Sequence, residues 1–206
     1  MEKKGSQTAP VAKSDREFVL AASARLFRNQ GFDRTTVKEI AEACGMLPGS
    51  LHYRYPSKES LLVDLMRLAL EQASRSVSIA IAGVSDPVEQ LRRGVCAHLN
   101  LLVGGSDMVY VLLFEWRSLC GQSRQEMIDL RDRYEALWAT MLKSLATQGV
   151  IRGDVDLNLL RLIGLGALNW VATWFHEGGR YSVEDIGNFV WHLIRVAVVS
   201  DSGQFK

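Results

Sequence analysis

One stretch of the sequence, Thr35 to Lys58, most constrains what this chain can fold into. Thr36 stands three residues before Glu39, the spacing at which a hydroxyl and a carboxylate cap the free backbone N–H groups of a helix start. A helix is expected to open directly after this cap, and Gly45 is expected to end it in the left-handed backbone that glycine accepts. Pro48 suits the first turn of a second helix, because proline has no N–H to leave unpaired there. The stretch therefore predicts two short helices joined by a tight turn.

The second of these helices is predicted to have two different sides. At about 100° per residue, Leu51 and Tyr55 fall on one side, which can pack against the preceding helix. Gly49 and Tyr53 fall on the opposite side, with His52 beside them, and this side is free to enter a groove. Two short crossed helices with a glycine turn are typical of the helix-turn-helix arrangement, whose second helix lies in the DNA major groove. An ordinary pair of core helices is the alternative interpretation.

Several residues of this stretch are candidates for contact with DNA. The exposed N-terminal part of a recognition helix meets base edges, which assigns base reading to Pro48, Gly49, Ser50 and Tyr53. The candidates for phosphate contact are Thr36, His52, Tyr53 and Lys58. Thr36 is expected at a helix N-terminus, where the helix dipole favours an anion. Ser50 and Tyr53 can also be interpreted as ordinary solvent-facing residues.

The composition is that of a globular chain with an uneven charge distribution. Of the 206 residues, 48% are hydrophobic and 23% are charged, enough for one substantial domain or for a small domain fused to a larger one. The net charge is +1, but residues 1–60 carry ten Lys or Arg against seven Asp or Glu, whereas residues 61–206 carry fourteen against sixteen. This mild basic bias lies where phosphate would be met, and it is too small for a nonspecific polybasic binder.

Cysteine usage and hydropathy predict a cytoplasmic protein. The cysteines, Cys44, Cys96 and Cys120, are widely spaced, so neither a disulfide framework nor a CxxC metal site is indicated, and reduced thiols are expected. Residues 1–14 are polar and lack the apolar core of a signal peptide. The longest apolar run, Leu157 to Phe175, is interrupted by polar residues and is interpreted as a buried helix rather than a membrane span.

The N-terminal part resembles a known family. Residues 1–13 are expected to form a disordered tail and residues 14–60 a three-helix domain that contains the helix-turn-helix. Residues 16–65 resemble the N-terminal domain of the TetR family of bacterial transcriptional repressors. The residues that carry this resemblance are Ala21-Ala22, Leu26-Phe27, Gly31-Phe32, Thr35-Thr36-Val37, Ile40-Ala41, Gly45, Gly49-Ser50-Leu51 and Tyr53-Arg54-Tyr55-Pro56-Ser57-Lys58-Glu59. His52 and Arg54 depart from the family pattern, which often has tyrosine and histidine there.

Residues 61–206 are predicted to be helical throughout, which makes the whole chain all-α with about nine helices. The segment from Asp156 to His176 is apolar on almost every side, and the last helix, capped by Ser182, has a broad apolar face. Because such a helix must be covered all round, we expect a second copy to pack against the last two helices in a two-fold, four-helix interface. The resemblance also implies this homodimer. A wholly intramolecular core is the alternative.

The C-terminal part is rich in tryptophan and methionine, which can form either a core or the lining of an apolar pocket. The resemblance implies a pocket for a small hydrophobic effector between the fourth and eighth helices. The candidates for ligand contact are Met108, Leu112, Trp116, Trp138, Asn169, Trp170 and Trp174.

The pattern around Asn169 and Trp170 also resembles a TetR subgroup that senses acyl-CoA thioesters and controls lipid or steroid breakdown. A CoA ligand requires cations at the pocket mouth, for which Arg92, Arg93 and Arg117 are candidates by position. The competing class of effector is a neutral or cationic hydrophobic drug, with control of an efflux pump.

No catalytic residues, metal site or cofactor are predicted. The Gly164-Leu165-Gly166 sequence lies inside a helical pattern rather than after a strand, and the histidines lack metal-ligand spacing. The resemblance instead implies a repressor that binds a near-palindromic operator through two heads roughly 34 Å apart. Effector binding would be relayed through the fourth helix, whose movement changes the spacing of the heads. A helical ligand-binding module without DNA binding is the alternative from another class.

Overall fold

The structure is a computed structural model in which residues 13–198 are described. Its helices are α1 (Lys13–Gln30), α2 (Val37–Ala43), α3 (Pro48–Arg54), α4 (Lys58–Ile81), α5 (Pro87–Val103), α6 (Asp107–Phe114), α7 (Gly121–Thr147), α8 (Leu157–Trp174) and α9 (Val183–Val198). A short 3₁₀ turn, Trp116–Ser118, lies between α6 and α7. The all-α prediction is confirmed. Apart from Lys13, the tail predicted over residues 1–13 lies outside the described residues.

Local caps fix the ends of several helices. The Thr36 hydroxyl accepts from the Glu39 backbone N–H at 3.2 Å, and the Glu39 carboxylate accepts from the Thr36 backbone N–H at 2.7 Å, which forms the expected capping box. Gly45 ends the first helix of the pair with φ +63°. The carboxylates of Asp86 and Asp156 accept backbone N–H groups at the starts of α5 and α8.

The first three helices form a small head around buried apolar side chains, of which Phe27, Ile40 and Leu51 are almost fully inaccessible. The next helix, α4, has 24 residues and is therefore about 36 Å long. It packs on α1 in the head and on α5, α6 and α7 beyond it. This helix belongs to both parts of the chain, and any change in its tilt moves one part relative to the other.

The second part is a helical bundle in which α5 packs against α4, α7, α8 and α9. The last helix approaches α5 closely, because a Cβ atom at Gly187 would lie 3.3 Å from Cys96 Sγ. The opposite face of α8 and α9 is bare and apolar. Its exposed residues are Leu159, Ile163, Trp170, Trp174, Phe189, Leu193 and Val196.

Within residues 13–198, no single helix combines the length and hydropathy needed to cross a membrane. Only α5 and α6 taken together satisfy the criteria of length and composition, and they meet at a 100° bend.

Candidate nucleic-acid interface and ligand cavity

The recognition helix α3 has the two sides that its sequence predicts. Leu51 and Tyr55 are buried against the head, with 1% and 7% of their surface exposed. Pro48, Gly49, Ser50, His52 and Tyr53 all lie on the exposed surface. Tyr53 retains 89% of its accessible surface. Leu47, which directly precedes the helix and is not among the predicted contacts, is also 76% exposed.

Two of the predicted phosphate contacts are engaged in bonds within the head. The Lys58 ammonium donates to the backbone carbonyls of Phe32, Asp33 and Thr35 at 2.6, 3.1 and 2.9 Å. It also lies 4.3 Å from the centre of the Phe32 ring, in a cation–π contact. These bonds fasten the start of α4 to the turn between α1 and α2. The Thr36 hydroxyl is similarly occupied by its cap, and the phosphate contacts of both residues remain predictions.

A polar network joins the recognition helix to the rest of the molecule. The Asp64 carboxylate on α4 accepts two hydrogen bonds from Arg16 on α1, at 2.9 and 2.6 Å. The same carboxylate accepts a hydrogen bond from the hydroxyl of Tyr55, the residue directly after α3, at 3.0 Å, and another from Arg67 at 3.1 Å. Arg67 in turn pairs with Glu126 on α7, one of the helices of the ligand cavity. Four helical segments are thus connected through one carboxylate and one guanidinium.

At neutral pH the Asp64 carboxyl group of this network is ionised and the Tyr55 hydroxyl is protonated. Burial opposes ionisation of Asp64, but the hydrogen bonds from Arg16 and Tyr55 outweigh it and lower the pKa of the carboxyl group. Burial and the neighbouring carboxylate raise the pKa of Tyr55 to about 12, so its hydroxyl keeps the proton that it donates. The network is therefore a fixed set of charge-assisted hydrogen bonds at neutral pH.

Replacing Asp64 by asparagine should lower the free energy of unfolding by about 2 kcal/mol, because it removes charge-assisted bonds to Arg16 that solvent only partly screens. Denaturant unfolding at neutral pH measures this loss. The pKa of Asp64 is lowered by folding, so the difference from the parent should be complete above the ordinary carboxyl pKa and should shrink as the pH falls below it. Glu42→Gln is the control, since Glu42 makes only an exposed ion pair with Lys38 at 3.8 Å. Equal effects of the two substitutions would contradict the role given to the network.

The head also contacts α6, which lines the cavity. The Arg28 guanidinium at the end of α1 binds the Asp107 carboxylate at 2.9 Å and stacks 4.9 Å from the centre of the Tyr110 ring. Residues 79 positions apart form this contact, so the sequence alone did not indicate it.

A cavity of about 290 Å³ lies among α4, α5, α6, α7 and α8. Its volume is near the lower end of the range of small-molecule sites, about 300–1,000 Å³. The walls are largely aliphatic and consist of Leu70, Ala73, Leu101, Leu102, Val109, Leu112, Leu113, Met127, Ile128, Leu162 and Leu165. Such a lining suits a ligand with an apolar body.

The structure brings some of the predicted ligand residues to this cavity and places others elsewhere. Leu112, Trp116 and Asn169 line it. Met108 is partly buried against the core, and Trp138 is buried beside a second, smaller void of about 50 Å³. The placement of Trp170 and Trp174 needs correction: they are 65% and 45% exposed on the outer face of α8, because the rotation of this helix directs Leu165 and Leu168 inward instead.

The cations at the cavity are not those that the sequence suggested. Arg92 and Arg93 bind Glu89 at 2.7 and 2.8 Å, and these hydrogen bonds lower the pKa of Glu89 to about 2. Neither arginine lines the cavity, and neither does Arg117. Their pairing was readable in the sequence, since Glu89 lies three and four residues before them on one helix.

Two other arginines, Arg124 and Arg131 on α7, do line the cavity. Arg131 pairs with Glu135 at 3.3 Å, and the same carboxylate binds Arg161. Arg124 is exposed, stacks 5.0 Å from the centre of the Trp116 ring, and has no carboxylate partner within the described part of the chain. The residues of α7 that line the cavity are three, four and seven positions apart, the spacing of one helix face. This spacing could have predicted Arg124 and Arg131 as cavity residues.

One end of the cavity is polar but uncharged. The buried His98 ring contacts the Tyr134 hydroxyl through Nδ1 at 2.7 Å and the Asn169 carboxamide oxygen through Nε2 at 3.1 Å. Burial lowers the pKa of His98 to about 4, so the imidazole is neutral at neutral pH. Burial also raises the pKa of the Tyr134 hydroxyl, which therefore stays protonated.

The molecule consists of a small head with an exposed recognition helix and a bundle with a largely apolar cavity, joined by one long helix. This arrangement is typical of a helix-turn-helix regulator with a ligand-binding domain. Comparison with known proteins agrees. The family described as "Tetracyclin repressor-like, C-terminal domain" matches residues 84–198, and "Bacterial regulatory proteins, tetR family" matches residues 19–65. The chain belongs to the TetR family of DNA-binding transcriptional repressors, as its N-terminal residues predicted.

The similarity to known relatives and solved structures covers most of the chain. The HTH-type transcriptional repressor KstR2 of Mycobacterium tuberculosis is 26% identical over 183 residues, 88% of this chain and 91% of the relative. The crystal structure of the TetR family transcriptional regulator PfmR from Thermus thermophilus is 31% identical, with a TM-score of 0.77 over 86% of this chain and 97% of PfmR. AibR, solved in complex with isovaleryl coenzyme A and operator DNA, is 27% identical, with a TM-score of 0.80 over 87% and 97%.

Proposed function

We propose that this repressor acts as a homodimer in the cytoplasm and that it releases a near-palindromic operator when an acyl-CoA thioester binds the cavity. The observation that carries the effector class is the guanidinium of Arg124, which lines a largely apolar cavity and has no carboxylate partner within the described part of the chain. A cation without a carboxylate partner is available to an anionic ligand. The dimer and the DNA contacts rest on separate surfaces.

The dimer is inferred from the bare apolar face of α8 and α9. Ile163, Trp170 and Phe189 are 70%, 65% and 61% exposed in the single chain. Ile163 and Trp170 lie on one side of α8, and Phe189 lies on α9, which packs on α5 as α8 does. Exposed apolar surface of this kind marks an interface. A second copy supplies the same face in return, which gives a closed two-fold contact.

The proposed DNA contacts are those on the exposed side of α3. We expect base-edge contacts from Pro48, Gly49, Ser50 and Tyr53, which are exposed. We expect phosphate contacts from His52 and Tyr53, with Thr36 and Lys58 as further phosphate contacts. We add Leu47, whose exposed aliphatic side chain suits contact with a thymine methyl group. Two heads of a dimer would read two half-sites about one turn of DNA apart.

Two features of the cavity and one relative favour an acyl-CoA over a hydrophobic cation. Glu135 is an acidic side chain at the cavity, but Arg131 and Arg161 already bind it, so it offers no uncompensated negative charge to a cationic drug. Arg124, in contrast, is free for an anion. A relative with 27% identity, AibR, has been solved with isovaleryl coenzyme A and operator DNA. A drug-responsive repressor of an efflux pump is the second candidate.

Release of DNA from the upstream region of the protein's own gene tests the effector class. We expect octanoyl-CoA to lower the fluorescence anisotropy of labelled DNA bound to the protein, and tetraphenylphosphonium to leave it unchanged. In Arg124→Gln the half-effective concentration of octanoyl-CoA should rise about tenfold or more, as expected for one lost charge-assisted hydrogen bond. Arg93→Gln is the control, because Arg93 is paired with Glu89 away from the cavity. Release by the cation alone would favour the drug-responsive candidate.

A further inference from the structure

The polar end of the cavity is a chain of hydrogen bonds with defined directions. The Asn169 carboxamide oxygen faces His98 Nε2, so the imidazole carries its proton on Nε2 and donates it to Asn169. Nδ1 is then an acceptor, and it receives the O–H of Tyr134. Both ring nitrogens of His98 are thereby satisfied. The carboxamide oxygen of Asn169 is thereby held towards the ring, and its nitrogen points away from the ring.

Within this chain of hydrogen bonds, the carboxamide nitrogen of Asn169 has no partner. The carboxamide nitrogen of Asn169 has two N–H donors and no hydrogen-bond acceptor among residues 13–198. Asn169 lines the cavity, as do His98 and Tyr134. The donors of Asn169 are therefore presented by a preorganised support in which His98 is 5% and Tyr134 6% exposed. A preorganised donor discriminates between ligands, because no reorientation is needed when an acceptor arrives.

The uncommitted donors lie far from the free cation. Arg124 and Tyr134 both reach the cavity from α7, and a rise of about 1.5 Å per residue separates them by about 15 Å along the helix axis. Met127, Ile128 and Arg131 line the cavity between them, and Glu135 follows Tyr134 in the lining. Arg131 and Glu135 bind each other, so their charges are compensated. The cavity thus has an unpaired cation at one end, a largely apolar middle, and the uncharged group of His98, Tyr134 and Asn169 towards the other end. A ligand that matches it has the same order of chemistry.

We propose that His98, Tyr134 and Asn169 form a subsite for an uncharged oxygen acceptor, such as a ketone, carried by the effector at the end remote from its anionic group. Asn169 donates to this oxygen, and His98 and Tyr134 are positioning residues that hold the carboxamide. A plain hydrocarbon end would leave the two donors unpaired in a site from which it has excluded water, which disfavours its binding. The proposal rests on the acyl-CoA function proposed above, and it narrows that function to effectors with an oxygenated distal end.

The test compares two probes that differ only at this end. Octanoyl-CoA and its analogue with a ketone on the penultimate carbon are titrated into the full-length protein by calorimetry. We expect the ketone to bind about tenfold more tightly, as one additional hydrogen bond to a preorganised donor implies. In Asn169→Leu this ratio should fall to about one. In Tyr134→Phe, which removes only the hydroxyl that holds the imidazole, the ratio should fall to an intermediate value.

Leu112→Met is the control, because it changes an apolar wall of the same cavity and should leave the ratio unchanged. Equal binding of the two probes by the unmodified protein would overturn the proposal, and this result needs no variant to fold. A tenfold ratio that persists in Asn169→Leu would also overturn it. Weakening of both probes together in Asn169→Leu, with no preference in the parent, would assign Asn169 to the thioester carbonyl instead. If neither probe binds the parent, the acyl-CoA function itself has failed.

Discussion

Phe189→Glu should convert the protein from a dimer to a monomer and should lower its operator affinity by about a hundredfold or more. Phe189 is 61% exposed at the bare face of α8 and α9, where the proposed interface would bury it. In the dimer, a carboxylate at this position would lose its water without gaining a partner. This costs more free energy of association than the loss of the aromatic contact alone. The affinity falls because two linked heads bind one operator with an effective concentration that single heads lack. Light scattering after gel filtration and anisotropy of labelled operator measure the two effects.

Ile79→Glu is the matched control for this substitution. Ile79 is 65% exposed on α4, similar to Phe189, but it lies outside the face formed by α8 and α9. It should leave the protein dimeric. A Phe189→Glu protein that stays dimeric and keeps its operator affinity would exclude the proposed interface.

Tyr53→Ala should weaken operator binding about thirtyfold or more while leaving the melting temperature unchanged. The side chain is 89% exposed on the free side of the recognition helix, so its removal costs the fold almost nothing. On DNA each head would lose a contact of about 1–3 kcal/mol, and a dimer loses it twice. Titration of labelled operator and thermal unfolding followed by circular dichroism test the two parts of this expectation.

Tyr181→Ala serves as its control, because Tyr181 is a half-exposed tyrosine outside the head and should not affect operator binding. Unchanged binding by Tyr53→Ala would count against the assigned face of α3. A melting temperature lowered by several degrees would show instead that Tyr53 has a structural role.

The features that the sequence predicted correctly depend on interactions within a few residues. Thr36 and Glu39 cap α2 because they are one helical turn apart, and Gly45 ends it through its own backbone. The burial of Leu51 and Tyr55 follows from the 3.6-residue period of a helix once its start is known. These interactions do not depend on tertiary structure, so the head was the part of the chain that was easiest to predict from the sequence.

The features that the sequence did not predict depend on how distant elements pack. Arg16 and Asp64 are 48 positions apart, and only the folded chain brings them together. Trp170 was assigned to the cavity from a local pattern, but the rotation of α8 about its axis decides which residues point inward, and it places Trp170 outside. Residues 61–206 were predicted to be helical throughout, but α6 ends at Phe114, where the chain enters a 3₁₀ turn before α7. That turn positions Trp116 and Arg124 together at the cavity.

In the proposed complex, two outward-facing recognition helices, one from each copy, read one operator together. Sedimentation velocity of the unmodified protein with a labelled fragment of its own upstream DNA, at increasing salt, measures how many chains bind each operator. We expect an even number of chains on each operator, no stable complex with a single chain, and an affinity that falls steeply as salt rises. A complex of one chain per operator, or no sequence-selective complex even at low salt, would contradict the account.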